Sequence, residues 1–202
     1  MLMPNQRGLL LLYRQGRNVQ RGASIIEVLV TIVILAIGLL GLAGMQGQIL
    51  TAELESYQRA QAVLLMNDMV DRMTTNRSAA ATYVTTTPLG TGDTQLLSCA
   101  TLAAGLAKDQ CEWSNDLKGA SERKGTANAG AMVNALGCVQ LITPENAAAG
   151  VCQPGIYLVT VAWQGSNLTT APGVTCGQNS YGDDRYRRAL STRVSIGLPS
   201  CQ

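Results

Sequence analysis

The sequence predicts an α+β protein in which one long N-terminal helix packs on a small antiparallel β-sheet that disulfides stabilise. Three observations support this fold class. An apolar stretch, residues 22–45, leads into residues with helical spacing, several later stretches alternate with a period of two, and all six cysteines follow the apolar stretch. A helical region followed by a strand-rich region is typical of the α+β class.

The apolar stretch is long and uniform enough to span a membrane. Residues 28–45 contain no charged side chain, and a helix of about 20 residues crosses a hydrocarbon core of about 30 Å. Its β-branched residues do not prevent a helix there, because every backbone group in lipid must be paired internally. We therefore expect a single-pass membrane helix.

Charge asymmetry sets the expected orientation of this helix. The first 22 residues contain four arginines, Arg7, Arg14, Arg17 and Arg21, and no acid. Of 15 basic residues in the chain, 11 remain downstream against 13 acids, a net charge of −2. The positive-inside rule places the bulk of the chain outside the cytoplasm. The acidic remainder lacks the electrostatic basis for nucleic-acid binding.

Glu27 is the one carboxylate inside the apolar stretch, and such a residue needs a cationic partner. No Lys or Arg lies within helical reach on its C-terminal side. Three partners are open: a lipid headgroup, a residue of another chain, or an amine released by cleavage just before it. A cut after Gly22 would place the α-amine of Ala23 one helical turn from Glu27.

The segment from Gly22 through Ala23 to Glu27, followed by its apolar run, resembles the class III signal of type IV prepilins. The resemblance implies a type IV pilin-like fold. It also implies that prepilin peptidase cleaves after Gly22 and methylates Ala23, and that Glu27 is the assembly carboxylate, which pairs with a neighbouring subunit's amine. Ala23 stands where phenylalanine is commonest, at a tolerant position. An ordinary signal anchor would leave Glu27 without a role.

Four segments follow from this interpretation. Residues 1–22 are a prepilin leader, 23–46 a transmembrane and assembly helix, 47–77 the amphipathic half of the same helix, and 78–202 a disulfide-bonded head in the periplasm or outside the cell. The leader's apolar run, residues 9–13, is too short for a secretory signal peptide.

The helix is expected to continue beyond the apolar stretch to about Asn76. Apolar residues recur there at mostly three- and four-residue intervals between charged ones, namely Ile49, Leu50, Leu54, Tyr57, Val63, Leu64, Met66, Val70 and Met73. Within the first half, glycines recur every third residue at Gly38, Gly41, Gly44 and Gly47. They either allow close helix approach or soften the helix, and both interpretations stay open.

The rest of the chain predicts a loop, a short helix and strands. Pro88 and Gly90 end the long helix, leucines and alanines between 96 and 106 indicate a short helix, and no structure is assigned to residues 120–130. Alternation predicts strands at 138–142, 155–163 and 186–196, the first two joined as a hairpin by a long loop. One face of the second strand carries Tyr157, Val159, Val161 and Trp163.

Six cysteines are disulfide candidates: Cys99, Cys111, Cys138, Cys152, Cys176 and Cys201. They can pair in 15 ways. We favour sequential pairs, 99 with 111, 138 with 152 and 176 with 201. A metal site is disfavoured, because the chain has no histidine and no CxxC spacing.

Catalytic signatures are missing from the sequence. Without histidine the usual triads are excluded, and no GxSxG, P-loop or paired-carboxylate motif occurs. We therefore expect a protein that is not an enzyme and uses no cofactor and no metal. Asp183 and Asp184 are interpreted as a solvated turn rather than a calcium loop. Arg185, Arg187 and Arg188 are interpreted as a charged edge strand that opposes aggregation.

Features of the head narrow the resemblance to the minor pilins of the type IV pilus modification protein (PilV) family: Arg72 to Arg77, Cys111-Glu112-Trp113, the strand 155–163 and the arginine-rich last strand. That family implies a low-abundance subunit that joins other minor pilins in a priming complex at the pilus tip.

The resemblance also implies partners and a location. The expected partners are prepilin peptidase, the other minor pilins, the major pilin, the inner membrane and a possible tip adhesin, with no nucleic acid. The subunit is stored in the inner membrane with its head in the periplasm. Three alternatives remain: a minor pseudopilin of type II secretion, a pilin whose head binds a surface ligand or DNA directly, and a signal-anchored enzyme.

Overall fold

A computed structural model describes residues 22–125, 127–128, 132–148 and 150–198. They divide into two compact units between Gln46 and Gly47. The predicted leader, apart from Gly22, lies outside the described residues, as does Cys201. The elements in chain order are α1 (Ile25–Thr75), a 3₁₀ segment (Arg77–Tyr83), β1 (Leu89–Gly90), α2 (Leu106–Leu117), β2 (Arg123–Lys124), β3 (Ala127–Asn128), β4 (Leu136–Thr143), β5 (Gly155–Gln164), a 3₁₀ turn (Asp184–Tyr186) and β6 (Arg187–Ile196).

Four strands form an antiparallel sheet in the order β1-β4-β5-β6. β5 pairs with β6 over its whole length, from Gly155 opposite Ile196 to Gln164 opposite Arg187. β4 and β5 form the predicted hairpin, with a register shift between Leu141 and Thr143. The expectation of a long helix and a small antiparallel sheet with disulfides is confirmed.

The core of the larger unit lies between the second half of α1 and one face of the sheet. The helix buries Ala62, Met66, Met69 and Met73, spaced four, three and four residues apart. The sheet buries the predicted face of β5, on which Tyr157, Val159 and Val161 are fully buried and Trp163 is 4% exposed. A small alanine and unbranched methionines let the helix lie close to this ridge of aromatic and β-branched side chains.

Trp113 of α2 joins the same core. Its side chain is fully buried, and its indole Nε1 donates a hydrogen bond of 2.8 Å to the carbonyl of Leu65 in α1. Gly137 of β4 lies against the indole ring, and a Cβ atom at this position would overlap it. Because position 137 is glycine, the ring can approach the strand backbone this closely.

The short helix does not lie where the sequence indicates it. The leucines and alanines of 96–106 belong to a loop, in which Leu97 is 85% exposed, and α2 begins only at Leu106. This helix forms where Trp113 and Leu117, four residues apart, can be buried on one face, and Cys111 is buried as well. Burial therefore outweighs the intrinsic helix propensity of the alanines. Residues 120–130, for which no structure is predicted, include the small β2–β3 ladder.

The disulfides agree with the preferred pairing at one bond only. Cys99 is bonded to Cys111, whereas Cys138 is bonded to Cys176, so the expected 138–152 and 176–201 pairs are wrong. Cys152 is disulfide-bonded as well. The reason is geometric: five residues of extended strand separate Cys138 from Thr143, about 17 Å at 3.4 Å per residue, which is beyond disulfide reach of the hairpin loop.

Arg187 is a structural clamp and not part of a surface patch, which corrects the interpretation of the three arginines. Its side chain is fully buried. Its Nη atoms donate to the carbonyls of Pro172 (3.0 Å), Val174 (2.6 Å) and Cys176 (3.1 Å). Its Nε and Nη2 atoms each donate to Asp184 at 2.7 Å. The guanidinium thus fixes the loop before β6 onto the outer face of the sheet.

We expect Gly137→Ala to destabilise the protein. The new methyl group overlaps the buried Trp113 ring, and overpacking a core costs about 1–3 kcal/mol. The measurement is guanidinium unfolding in detergent, followed by tryptophan fluorescence. Gly173→Ala is the matched control, because a Cβ there meets no atom within 4 Å. Equal stability of the two variants would contradict the packing described.

We expect Arg187→Met to lower the free energy of unfolding by about 3 kcal/mol, because it leaves Asp184 and three carbonyls without their donor. This value is at the lower end of the range for breaking a buried ion pair, because the Asp184 side chain remains 22% exposed. Arg193→Met, on the exposed part of the same strand, is the control and is expected to stay near the unmodified value. A loss as small as that of the control would rule out the clamp.

Candidate functional site: the N-terminal apolar segment

The predicted cleavage site lies just outside the start of α1. Gly22, Ala23 and Ser24 are exposed and not helical, and the helix begins at Ile25. The carbonyl of Ser24 accepts hydrogen bonds from the backbone N–H groups of Glu27 (3.0 Å) and Val28 (3.2 Å). The Gly22–Ala23 bond is therefore free of helical hydrogen bonds, and exposed non-helical backbone is the substrate that proteases reach.

Glu27 lies in the first turn of α1. A carboxylate in this position is stabilised by the positive end of the helix dipole. Among the residues that the structure describes, its side chain forms no hydrogen bond and no ion pair. Its carboxylate is exposed and available to a cation from outside the chain.

The apolar side chains that follow Glu27 are exposed. They range from 47% exposure at Val28 to 73% at Leu40, and the segment has a mean hydropathy of 2.8 with none of its residues buried. By length and composition α1 is the one helix among the described residues that could cross a membrane. A core helix of a soluble protein would bury such side chains, so this surface requires lipid or other protein.

The four glycines of this segment leave open space on the helix surface. A Cβ at Gly38, Gly41, Gly44 or Gly47 would meet no atom within 4 Å. The helix continues through all of them. Close helix approach and helix softening both stay predictions.

The acidic pair of the head is held by arginines. The Arg185 guanidinium lowers the pKa of Asp183 to about 2 through a side-chain hydrogen bond, and Arg187 lowers the pKa of Asp184 in the same way. Asp183 also accepts a hydrogen bond of 2.9 Å from the backbone N–H of Arg185, which is the geometry of a turn. Within the described residues no three His, Cys, Asp or Glu side chains are grouped as metal ligands.

Two family models match adjacent parts of the chain. The prokaryotic N-terminal methylation motif matches residues 17–43, and the type IV pilin Tt1218 model matches residues 44–115. By these two matches, residues 17–115 of the chain are similar to type IV pilins. The first match contains Gly22, Ala23 and Glu27, and it implies processing by prepilin peptidase and assembly with other pilins. No curated protein matches the chain, and no solved structure matches it either.

The matched pilin segment extends from the second half of α1 to α2. An ion network joins these two helices: Arg72 of α1 contacts Asp68 (2.9 Å) on its own helix, and Glu112 (2.7 Å) and Asp109 (3.3 Å) on α2. Burial lowers the pKa of Arg72, but the hydrogen bonds that its guanidinium donates to Glu112 and Asp68 outweigh this effect and raise it. The Asp68–Arg72 spacing is readable in the sequence as an i,i+4 pair, whereas the α2 partners are not.

The type IV pilins to which this chain is similar are structural subunits and not enzymes, and the apolar helix of this chain has the length and composition of a membrane anchor. Its location follows from the same segment, because the motif and the apolar helix fit a membrane anchor that is later incorporated into a pilus.

We expect two arginines in the middle of the apolar segment, Leu35→Arg with Ile37→Arg, to abolish stable membrane integration. Each charge costs roughly 2.5–3.5 kcal/mol at a helix centre. Carbonate extraction of membranes measures the effect. The control, Ala60→Arg with Asn67→Arg, adds the same charge to exposed positions of the later half of α1. Full retention of the first variant would show that this segment does not span the bilayer.

Proposed function

We propose that this protein is a minor type IV pilin that helps to initiate pilus assembly and is carried in the complex at the pilus tip. The observation that carries the proposal is the N-terminal methylation motif, whose match includes the predicted cleavage site and Glu27. The exposed Gly22–Ala23 peptide bond and the uncovered apolar helix support it.

Processing prepares the subunit for assembly. Hydrolysis of the Gly22–Ala23 bond by prepilin peptidase removes the basic leader and leaves a new α-amine on Ala23, which is then methylated. The leader's arginines no longer hold the N-terminus at the cytoplasmic face of the membrane, and the mature chain begins only two residues before α1.

Glu27 then favours transfer of the apolar helix from the membrane into the pilus. In hydrocarbon an unpaired carboxylate costs several kcal/mol, and the cationic amine of a neighbouring subunit offsets this cost. The carboxylate is exposed in the first turn of α1 and has no partner among the described residues. The helix therefore gains most when it leaves the lipid for a bundle of other pilin helices, where that amine lies at the same depth.

The assignment as a minor pilin of the type IV pilus modification protein (PilV) family rests on the resemblance of the head. The residues that carry it are structural. Cys111 bonds α2 to the preceding loop at Cys99, and Trp113 fixes α2 to α1. β5 is an inner strand of the sheet, and Arg187 fixes the loop before β6. A head with these constraints supports a rigid subunit that contacts other minor pilins, the major pilin and a tip adhesin. Before assembly the head would lie in the periplasm.

The first test is the mass of the N-terminus. We expect protein from cells with prepilin peptidase to begin at Ala23 with one added methyl group, and protein from cells without the enzyme to retain residues 1–22. Intact mass spectrometry of the membrane fraction distinguishes the two. If the Gly22–Ala23 bond is intact in both strains, the proposed processing is wrong.

The second test separates cleavage from assembly. Glu27→Ala is expected to leave cleavage unchanged and to lower the amount of the protein in sheared pili, because the amine of the neighbouring subunit loses its partner. Glu53→Ala is the control, since Glu53 is exposed on the later half of α1 without a partner among the described residues. Immunoblots of pili and membranes give both readouts. Normal incorporation of Glu27→Ala would refute its assembly role.

A further inference from the structure

A groove of about 450 Å³ opens on the head at the start of β4. One wall is the loop around β1, with Thr87, Thr91 and Thr94, and the other contains Ser180 and Tyr181. The two walls are some 90 residues apart in sequence. Its volume falls within the range of about 300–1,000 Å³ that is usual for small-molecule sites.

The first wall is held rigidly. Leu89 and Gly90 pair with β4, and Gly90 has a φ of +111°, where a Cβ would overlap the carbonyl oxygen of Ala135. The backbone N–H of Thr91 donates to the same carbonyl at 2.9 Å. Only glycine fits at position 90, and the pairing of Leu89 and Gly90 fixes the backbone of this loop to β4.

The groove is electrically neutral. Asp93 is its one charged lining residue among those described, and it accepts hydrogen bonds from the backbone N–H groups of Gly90 (2.8 Å) and Gln95 (3.2 Å) and from Ser114 Oγ (2.6 Å). Lys118 pairs with it directly. Burial raises the pKa of Asp93, but the bonds from Lys118 and Ser114 outweigh burial and lower it. No charge is left for an ionic ligand.

The floor of the groove is apolar. Tyr181 is 6% exposed and donates its hydroxyl to the carbonyl of Asn134 at 3.1 Å. Leu136, 8% exposed, and Pro88 complete the floor. The nearby Cys138–Cys176 bond fixes the loop that carries Tyr181 to β4. Preformed geometry on both sides lowers the entropy cost of binding.

Four hydroxyl groups line the groove without partners. Thr87, Thr91, Thr94 and Ser180 are exposed, and their side chains form no hydrogen bond to any described residue. A hydroxyl can both donate and accept. The groove therefore combines neutral, two-way hydrogen-bonding groups with a small apolar floor.

We propose that this groove binds an uncharged saccharide. Sugar hydroxyls donate and accept like the four that line the groove, and the C–H face of a pyranose ring matches a floor of tyrosine, leucine and proline. An ionic ligand finds no free charge there, and a peptide finds no deep apolar pocket. The proposal adds glycan binding by the head to a role in assembly, and it does not depend on the processing of Gly22.

The test uses the full-length protein in a zwitterionic detergent that carries no sugar headgroup. Saturation-transfer NMR is run with maltose, lactose and N,N′-diacetylchitobiose. We expect at least one of them to bind with a dissociation constant on the order of 1 mM, as is usual for a small polar ligand in an open groove. Thr91→Val and Ser180→Ala should each weaken that binding roughly threefold to tenfold, the value of one hydrogen bond.

Thr86→Val is the matched control, because Thr86 is exposed in the same loop but does not line the groove. It should bind the sugar like the unmodified protein, and thermal unfolding confirms that all variants are folded. The proposal is overturned if none of the three sugars binds, if Thr91→Val and Ser180→Ala bind as well as Thr86→Val, or if a neutral tripeptide competes equally. The last result would assign the groove to protein docking. None of these results changes the expected N-terminal mass, so the proposed function is tested separately.

Discussion

The head depends on the contact between the later half of α1 and β5. Met66, Met69 and Met73 on the helix meet Val159 and Val161 on the strand, all at most 7% exposed. These side chains belong to the main buried apolar cluster of the larger unit, and such burial supplies most of the stability of a small domain. The other elements of the head are added to this contact, by strand pairing on both sides of β5 and by Trp113 from α2.

Around that core, polar side chains fix loops that apolar packing cannot hold. Arg187 binds three carbonyls and Asp184 from a fully buried position. Asp93 binds two backbone N–H groups, Ser114 and Lys118. Both are ionised groups whose hydrogen bonds are nearly all made within the chain, and both adjoin a loop that lines the groove. The proposed glycan site thus depends on the constraints that hold the head together.

The first half of α1 follows a different rule. Its apolar residues are uncovered, and Glu27 has no partner among the described residues. In a soluble protein both features would be faults. In the proposed pilin they are complementary: lipid would cover the apolar surface until a bundle of pilin helices replaced it, and a neighbour's amine would then pair with the carboxylate. The apolar side chains of this segment must be covered by lipid or by other chains, whereas the head buries its core side chains against one another.

The sequence by itself determined the elements whose signal is local. The apolar run with Glu27 four residues after Ala23, the spacing along α1 and the alternation of β5 are read directly from neighbouring residues. The tertiary structure decided what depends on residues far apart in the chain. The position of α2 followed burial rather than propensity, Cys138 found Cys176 because the strand carries it away from Cys152, and Arg187 proved to be a buried clamp. Such contacts depend on how the folded elements are arranged in space, and local patterns in a single sequence do not give that arrangement.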